Sequence, residues 1–501
     1  GIRIDIGQTR YYPFRDLAVH LTGYVATISQ SEKTGDPVLE LPGFKIGKSG
    51  IEKSFDSKMR GRGAQRQVEV NALGRIIRKL PGEDIQMGHD IELTIDVSLQ
   101  SFSTKRLAQG NSMYIPVDDP RIQRALSEGR NLPPGTDPVN GYVNVDNKGN
   151  VQAPESGAAV VMDAFNGDVL ALASTPGFDP NSFSSGLNAA DWENLLSNPR
   201  SPMTNKAVSG QYSPGSTFKM IVCLAALEAG VAHHETKVNC SGMIEFGDSR
   251  FHCWKKDGHG WLNMIDAIEQ SCDVYLYELA KRVGIKRIGE MAARFGFGEA
   301  FNFGLPGENR GLIPTPAWKR KTFGQAWHAG ETLITSIGQG FILCTPLQLA
   351  VMTSRLVNGG RPVLPRLMKN ERAEIQKRKS LQLSPQHLHT VLKGMDKVVN
   401  GSQGTARRVV DQNMKFQFGG KSGSVQVKRI SLDERESGKL KNKDRPWRER
   451  DHAMFVAFAP LKSPRYVVSV VVEHGGGGST MAAPIARDIL AEALRLNPSK
   501  L

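Results

Sequence analysis

Cysteine is scarce in this 501-residue chain, which carries five: Cys223, Cys240, Cys253, Cys272 and Cys344. So small and odd a number in a long chain excludes a disulfide framework as the basis of the fold. Long apolar runs are also missing, since no uninterrupted apolar stretch reaches the roughly 18 residues of a membrane-spanning helix. The chain opens on GIRIDIGQTRYYPF, which is typical of extended structure and not of a signal peptide. If the native protein is anchored or exported, we expect that part to be missing from this sequence.

Acidic residues are fewer than basic ones, 50 against 64, which gives a formal net charge of +14. The basic residues are scattered and form no nucleic-acid-binding motif, so we predict no nucleic-acid partner. A solvated basic surface explains the charge best, and a face held near anionic lipid or polymer is the lesser alternative. An H-E-x-x-H motif is absent as well, which disfavours a metallohydrolase.

The pattern of apolar residues predicts an α+β protein with two domains. Short alternating segments with turns between them predict a β-rich N-terminal domain over residues 1–98, leaving 99–501 as a larger domain. Residues 97–109 have a helical pattern, and the polar, Pro/Gly-rich stretch 110–157 is expected to be an inserted loop.

The larger domain has strand signals at both ends and helices between them. Residues 158–175 predict a hairpin with an Asn-Gly turn, and two further strands are expected at 454–460 and 466–473. Helices are expected at 218–231 and 483–496, and a charged, solvated loop at 428–451. This arrangement predicts a sheet that joins remote segments of the chain.

The segment QYSPGSTFKM at 211–220 places Ser216 three residues before Lys219. A serine at a helix start is commonly only a cap, because its hydroxyl satisfies a free N–H. The spacing, however, puts both side chains on one helix face, and no other serine of the chain precedes a lysine by three residues. Burial would favour a neutral lysine that can accept the serine proton.

Two further motifs follow in order and turn this pair into a catalytic hypothesis. Ser271 and Asp273 begin a predicted helix, and Lys421, Ser422 and Gly423 lie in the Gly-rich entry to a strand. Each motif alone is explained by a cap or a turn. S-x-x-K, then S-x-N/D, then K-S/T-G is, however, the signature set of penicillin-binding proteins and serine β-lactamases. Ser271 is then a proton relay, Asp273 holds a substrate amide, Lys421 and Ser422 fix a carboxylate, and Gly423 admits the substrate backbone.

The chain resembles the class B penicillin-binding proteins of the elongation (rod-shape) machinery over nearly its whole length. The segments that carry the resemblance include YYPFRDLAVHLTGYV (11–25), GIEKSFD (50–56), GHDIELTID (88–96), SGQYSPGSTFK (209–219), WKKDGHGWLN (254–263), GQGF (338–341), TPLQLA (345–350), GKSGS (420–424) and DHAMFVAFAP (451–460). The resemblance implies a transpeptidase domain built on a five-stranded antiparallel sheet flanked by helices. It also implies that residues 1–98 are part of an N-terminal pedestal or dimerisation domain.

By the same resemblance, the protein is a D,D-transpeptidase that cross-links peptidoglycan stem peptides and is acylated by β-lactams. Ser216 would be the nucleophile and Lys219 its general base, with the backbone N–H groups of Ser216 and Ser424 as the oxyanion hole. Asp273 and Ser422 stand where many transpeptidases have Asn and Thr, which puts the substrate contact of Asp273 in question.

The resemblance further implies partners and a location. The partners would be a polytopic membrane glycosyltransferase and a scaffold protein of the elongation complex. The location would be the periplasmic side of the bacterial inner membrane, the membrane helix and the first part of the pedestal being absent from this sequence. A serine β-lactamase would be about half as long, and a non-enzymatic β-lactam sensor would be fused to a signalling part.

Three cysteines and a histidine cluster between the first and second catalytic motifs. Cys240, Cys253, His259 and Cys272 form a set suited to tetrahedral Zn²⁺, and His252 is an alternative nitrogen ligand. A disulfide between two of these thiols, or three separate buried thiols, are the competing interpretations. Cys272 lies between Ser271 and Asp273, so a structural zinc would fix the second catalytic motif to this loop. Acyl transfer itself needs no cofactor.

Overall fold

The computed structural model describes residues 9–33, 39, 44–61, 68–80, 86–116, 119–127, 142–146, 151–370, 380–411, 414–428 and 442–500. Over those ranges no helix combines the length and the apolarity that a membrane crossing requires. Most of the loop predicted at 428–451, namely residues 429–441, lies outside the described residues.

The N-terminal region combines small antiparallel sheets with short helices. Strand β1 (Val25–Thr27) pairs with β2 (Lys45–Gly47), and β3 (Val68–Val70) pairs with β4 (Ile76–Lys79). The helices are α1 (Val19–Thr22), α2 (Gly50–Ser54) and α3 (Asp56–Arg60). The extended segment 91–96 contributes an isolated bridge between Leu93 and Met368 instead of a strand in a sheet.

Helix α4 (Val97–Gln109) has the predicted bounds, and both ends have a visible cause. Asp96 accepts a hydrogen bond from the backbone N–H of Leu99 and so caps the first turn, while Gly110 ends the helix at a φ of 56°.

The prediction that residues 110–157 form a loop is wrong. Strands β5 (Met113–Pro116), β6 (Tyr142–Val145) and β7 (Val151–Gln152) form a three-stranded sheet, with helix α5 (Pro120–Ser127) beside it. Val143 and Val145 alternate along β6 and pack with Ile122 into a small separate core. The alternation of apolar and polar residues that indicates a strand is weak here, because only a few apolar residues stand among many polar ones.

The predicted five-stranded antiparallel sheet is confirmed. The strands of the larger domain are β8 (Gly157–Asp163), β9 (Val169–Thr175), β10 (Val238–Cys240), β11 (Met243–Phe246), β12 (Ser249–His252), β13 (Gly260–Leu262), β14 (Gly419–Val425), β15 (His452–Ala459) and β16 (Tyr466–Val472). The main sheet has the order β14-β15-β16-β8-β9, with β10–β13 and β11–β12 as separate pairs. The chain thus brings its late strands beside its early hairpin, as the apolar pattern predicts.

Helices cover both faces of the main sheet. The helices of the larger domain after α5 are α6 (Asn181–Ser185), α7 (Ala189–Ser197), α8 (Lys206–Ser209), α9 (Lys219–Glu228), α10 (Met264–Glu269), α11 (Asp273–Val283), α12 (Ile285–Arg294), α13 (Pro316–Phe323), α14 (Ala329–Ser336), α15 (Pro346–Val357), α16 (Pro385–Asn400) and α17 (Ala483–Leu496). Helices α4 and α17 pack against each other and on the sheet, and α8 and α15 also pack on it. Both strands of the β8–β9 hairpin are buried throughout, because the sheet is covered on both sides.

Candidate active site

Ser216 lies in a 3₁₀ turn, Gly215–Phe218, that leads directly into α9. In a 3₁₀ turn, residues three apart are eclipsed, so Ser216 and Lys219 face the same side, as their spacing predicts. Gly215 has a φ of 55°, and a Cβ there would lie 2.9 Å from Val425 Cγ2 and 3.7 Å from the backbone nitrogen of Ser424. The turn therefore lies against strand β14, and only glycine fits at its head.

Lys219 is fully buried, and its ammonium group is hydrogen-bonded to the second motif. Nζ lies 2.7 Å from the carbonyl oxygen of Ser271, 3.2 Å from Ser271 Oγ and 2.7 Å from Asp273 Oδ1. Ser271 adopts a φ of 54°, a left-handed conformation that serine rarely takes. This local strain turns both the carbonyl and the hydroxyl of Ser271 towards Lys219.

Lys421, on the edge strand β14, is the second fully buried amine of the site. Its Nζ donates to Ser271 Oγ at 2.9 Å and to the carbonyl oxygen of Ser422 at 3.0 Å. Burial, and then the nearby charge of Lys219, hold the pKa of Lys421 well below its usual range, although Asp273 opposes them. Ser271 Oγ thus bridges two buried amines, and one of them, Lys219, is paired with the carboxylate of Asp273.

Asp273 contacts Lys219 and a residue that the sequence analysis did not single out. Its Oδ1 accepts from Lys219, and its Oδ2 accepts the backbone N–H of Trp254 at 2.9 Å. Both carboxylate oxygens therefore have partners inside the protein, whereas the sequence predicted a contact with a substrate amide. The indole N–H of Trp254 lies 3.1 Å from the carbonyl oxygen of Ser271, and 57% of this residue is exposed. Its position next to Cys253 and its place at the head of the segment WKKDGHGWLN are the signals in the sequence that could have marked it.

The rest of β14 lines the cleft beside the nucleophile turn. Ser422 Oγ lies 3.1 Å from Thr405 Oγ1, and Ser424 Oγ accepts the backbone N–H of Gly478 at 3.1 Å. A Cβ on Gly423 would come within 3.3 Å of Pro214 and Thr217, so glycine keeps this part of the strand close to the turn. The structure thus brings all three predicted motifs together, and the roles of their individual residues stay predictions.

The cysteine–histidine cluster is assembled as the sequence predicts. The ligand atoms of Cys240, Cys253, His259 and Cys272 all lie within 4.8 Å of one another, whereas His252 is not part of the group. The Nδ1 atom of His259 lies 3.5 Å from Cys240 Sγ and 3.6 Å from Cys253 Sγ. All of these cysteines are free thiols.

Hydrogen bonds within the cluster divide the thiols into two kinds. Contact with Cys272 lowers the pKa of both Cys240 and Cys253, and the same contacts raise the pKa of Cys272. Tetrahedral Zn²⁺ with Zn–S near 2.3 Å and Zn–N near 2.0 Å would place its ligand atoms roughly 3.5–3.8 Å apart. The sulfur–nitrogen distances fit this spacing.

The chain matches two family models. One, described as penicillin binding protein transpeptidase domain, covers residues 157–491, and the other, penicillin-binding protein dimerisation domain, covers residues 1–93. The precise boundary predicted between residues 98 and 99 stays a prediction.

Known proteins similar to the chain agree with these matches. Peptidoglycan D,D-transpeptidase MrdA of Acinetobacter baumannii is 33% identical over 499 residues, which cover 97% of this chain and 66% of that protein. A crystal structure of Pseudomonas aeruginosa PBP2 in complex with WCK 5153 is 32% identical, covers 97% of this chain and 92% of that one, and gives a TM-score of 0.75. The matched chain in a complex between Penicillin-Binding Protein (PBP2) and MreC from Helicobacter pylori is 30% identical to this chain. The match covers 97% of this chain and 79% of the matched chain, with a TM-score of 0.78.

Proposed function

Because this chain belongs to the family of penicillin-binding proteins with a transpeptidase domain, we propose that it is a serine-type peptidoglycan D,D-transpeptidase of cell elongation and rod-shape maintenance. The observation that carries the proposal is the convergence of Ser216–Lys219, Ser271–Asp273 and Lys421–Ser424 from three separate parts of the chain. Such a buried cluster of amines and hydroxyls behind a half-exposed serine suits acyl transfer.

The reaction has two steps. Ser216 Oγ attacks the carbonyl carbon of the penultimate D-Ala, so that a C–O bond forms, the C–N bond breaks and the terminal D-Ala leaves with a proton. An amine of a neighbouring stem peptide then attacks the acyl-enzyme, forms the cross-link and returns Ser216 to its hydroxyl form. Water in place of the amine gives a D,D-carboxypeptidase side reaction.

The buried charges explain how Lys219 can serve as the base. Lys219 is hydrogen-bonded to the carboxylate of Asp273, whose charge also acts on Lys421, and burial disfavours a second uncompensated charge. Burial and the nearby charge of Lys219 hold the pKa of Lys421 well below its usual range, so Lys421 is the amine that gives up its proton. Since Ser271 Oγ contacts both amines, it can relay a proton from Lys219 to Lys421, which leaves Lys219 able to accept the proton of Ser216.

The same serine reacts with β-lactams. Attack on the lactam carbonyl opens the ring, and the amine stays tethered to the acyl group, so the covalent adduct persists. The backbone N–H groups of Ser216 and Ser424 stabilise the oxyanion in both reactions.

Release of D-alanine from a synthetic pentapeptide ending in D-Ala-D-Ala, measured with an amine acceptor present, tests this function. We expect release and a cross-linked product with the wild type and neither with Ser216→Ala. Ser197→Ala, an exposed serine at the end of α7, is the matched control and should behave as the wild type. Equal release by Ser216→Ala would contradict the assignment.

The cysteine–histidine cluster is proposed to hold structural Zn²⁺ through Cys240, Cys253, His259 and Cys272. Bound zinc would have no open position and would fix the residue between Ser271 and Asp273. Metal analysis of protein purified without chelator or oxidant should give about one zinc per chain. Zinc-free, fully folded and active protein would contradict this part.

The partners are proposed from the relatives. PBP2 of Helicobacter pylori forms a complex with MreC, and we expect this chain to bind a scaffold of that kind, together with a polytopic membrane glycosyltransferase. The site of action is then the periplasmic side of the inner membrane. Co-purification of the full-length protein with its own scaffold, lost on mutation of the N-terminal region, tests the interaction.

A further inference from the structure

Thr405 belongs to none of the three motifs, yet its hydroxyl lies 3.1 Å from Ser422 Oγ. It ends the segment Gly401-Ser-Gln-Gly-Thr405, which connects α16 to the turn before β14. Ser422 is the residue of β14 assigned to the substrate carboxylate. Thr405 therefore contacts the binding group itself.

The segment 401–405 is built tightly around one buried acid, Glu269, at the end of α10. Glu269 Oε1 accepts the backbone N–H of Gln403 at 3.0 Å, and the Glu269 carbonyl accepts that of Thr405 at 3.3 Å. A Cβ on Gly401 would lie only 2.3 Å from Glu269 Oε1, so the segment passes as close as glycine permits. Glu269 precedes Ser271 by two residues. Its hydrogen bonds to the segment 401–405 therefore fix Thr405 relative to the second motif.

Ser422 has a specific need for such a neighbour. The signature motif at this place commonly contains threonine, whose branched Cβ restricts χ1. Serine lacks the branch, so its hydroxyl can occupy any of three staggered positions. Either hydroxyl of this pair can be the donor; when Thr405 donates, the bond selects one of these positions and leaves the Ser422 proton free to be donated.

We propose that Thr405 is a positioning residue of the carboxylate subsite, holding the Ser422 hydroxyl in the rotamer that donates to the terminal carboxylate of the substrate. The chain of donation runs from Thr405 to Ser422 to the carboxylate. It gives Ser422 the orientation that a threonine would have by its own branching. This inference rests on the proposed function, because it names a determinant of substrate recognition at the same site.

The test compares two probes that differ in one group, benzylpenicillin and its methyl ester. For Thr405→Val, the second-order acylation constant with benzylpenicillin should fall about fivefold to tenfold, the loss expected for one hydrogen bond in a charge-binding site. The constant with the ester, which has no carboxylate to bind, should change by about twofold or less.

Rescue distinguishes positioning from a general structural effect. Adding Ser422→Thr to Thr405→Val should restore most of the benzylpenicillin rate, because threonine fixes χ1 without help. Ser402→Ala, an exposed serine of the same segment, is the matched control and should match the wild type. Thr405→Ala makes the same predictions and replaces Thr405→Val if that variant does not fold.

An unchanged rate with benzylpenicillin, an equal loss with both probes, or no rescue by Ser422→Thr would each overturn the inference. The failure of the proposed function has a different result. In that case the wild type itself would not be acylated by benzylpenicillin, whatever stands at position 405.

Discussion

Asp273→Asn tests the arrangement of two buried amines around one carboxylate. The substitution keeps the size of the side chain but removes the negative charge that lies 2.7 Å from Lys219 Nζ. Because Asp273 also raises the pKa of Lys421, its removal lowers that pKa further. Lys421 then loses its proton at a lower pH than in the wild type.

The size of the effect follows from Coulomb's law. Two opposite charges about 4 Å apart interact by about 4 kcal/mol at an effective dielectric constant of about 20. Local relaxation reduces this value, and neighbouring opposite charges shift pKa values by about one to three units in practice. Relay of a proton from Lys219 requires a neutral Lys421, so the acylation rate rises as the pH passes the pKa of Lys421. In a plot of acylation rate against pH, the rising limb should therefore move to lower pH by about one to three units in Asp273→Asn.

Stopped-flow acylation with a fluorescent penicillin, measured over the pH range in which the protein stays folded, gives this limb directly. Asp488→Asn is the matched control, because Asp488 pairs with Arg106 at 2.8 Å on α17 and α4, away from the cleft. Its limb should coincide with that of the wild type. A rising limb that stays in place in Asp273→Asn, or moves to higher pH, would refute the argument that the charge of Asp273 raises the pKa of Lys421.

Three further predictions address the turn, the cluster and the buried histidine. Gly215→Ala should lower the acylation constant at least about tenfold, since a φ of 55° and a Cβ 2.9 Å from Val425 Cγ2 both oppose alanine; a wild-type constant would show that the turn tolerates a side chain. Cys272→Ser should release zinc, as measured by metal analysis, and slow acylation, because the metal would no longer fix the residue between Ser271 and Asp273; retained zinc would contradict the ligand set. Burial lowers the pKa of His20 from 6.5 to about 4, because the buried imidazole is held neutral. The stabilisation contributed by this neutral imidazole is complete above pH 6.5 and is lost as the pH falls from 6.5 towards about 4. The free energy of unfolding of the wild type relative to His20→Gln should therefore fall by up to about 3 kcal/mol over this window, from about 1.4 kcal/mol per pKa unit. Denaturant titrations at several pH values measure this difference in the free energy of unfolding. Burial raises the pKa of Asp16 to about 6, which changes stability in the opposite direction, but Asp16 is present in both proteins and cancels in the comparison. A difference between the two proteins that stays constant with pH would contradict the burial argument.

Local signals made the long strands of the main sheet and helices α4, α9 and α17 predictable. Helix α4 begins at Asp96 and ends at Gly110 because these two residues cap it, and both are visible in the sequence. The long apolar strands β15 and β16 and the Asn-Gly hairpin are equally local features. Motif order then predicted which residues meet in the cleft, and the structure places them together.

Contacts between remote segments were not predictable in the same way. Trp254 and Thr405 reach the site only through the folding of the loop around Cys253 and of the segment around Glu269. No spacing in the sequence reports such contacts. The pairing of Asp273 with Lys219 depends likewise on the left-handed turn at Ser271.

The central claim is that Ser216 is the nucleophile of an acyl-enzyme. Peptide mapping by mass spectrometry after incubation with benzylpenicillin tests it most directly. We expect one covalent adduct, on the peptide that contains Ser216, and no adduct in Ser216→Ala. An adduct on another peptide, or none in the folded wild-type protein, would contradict it.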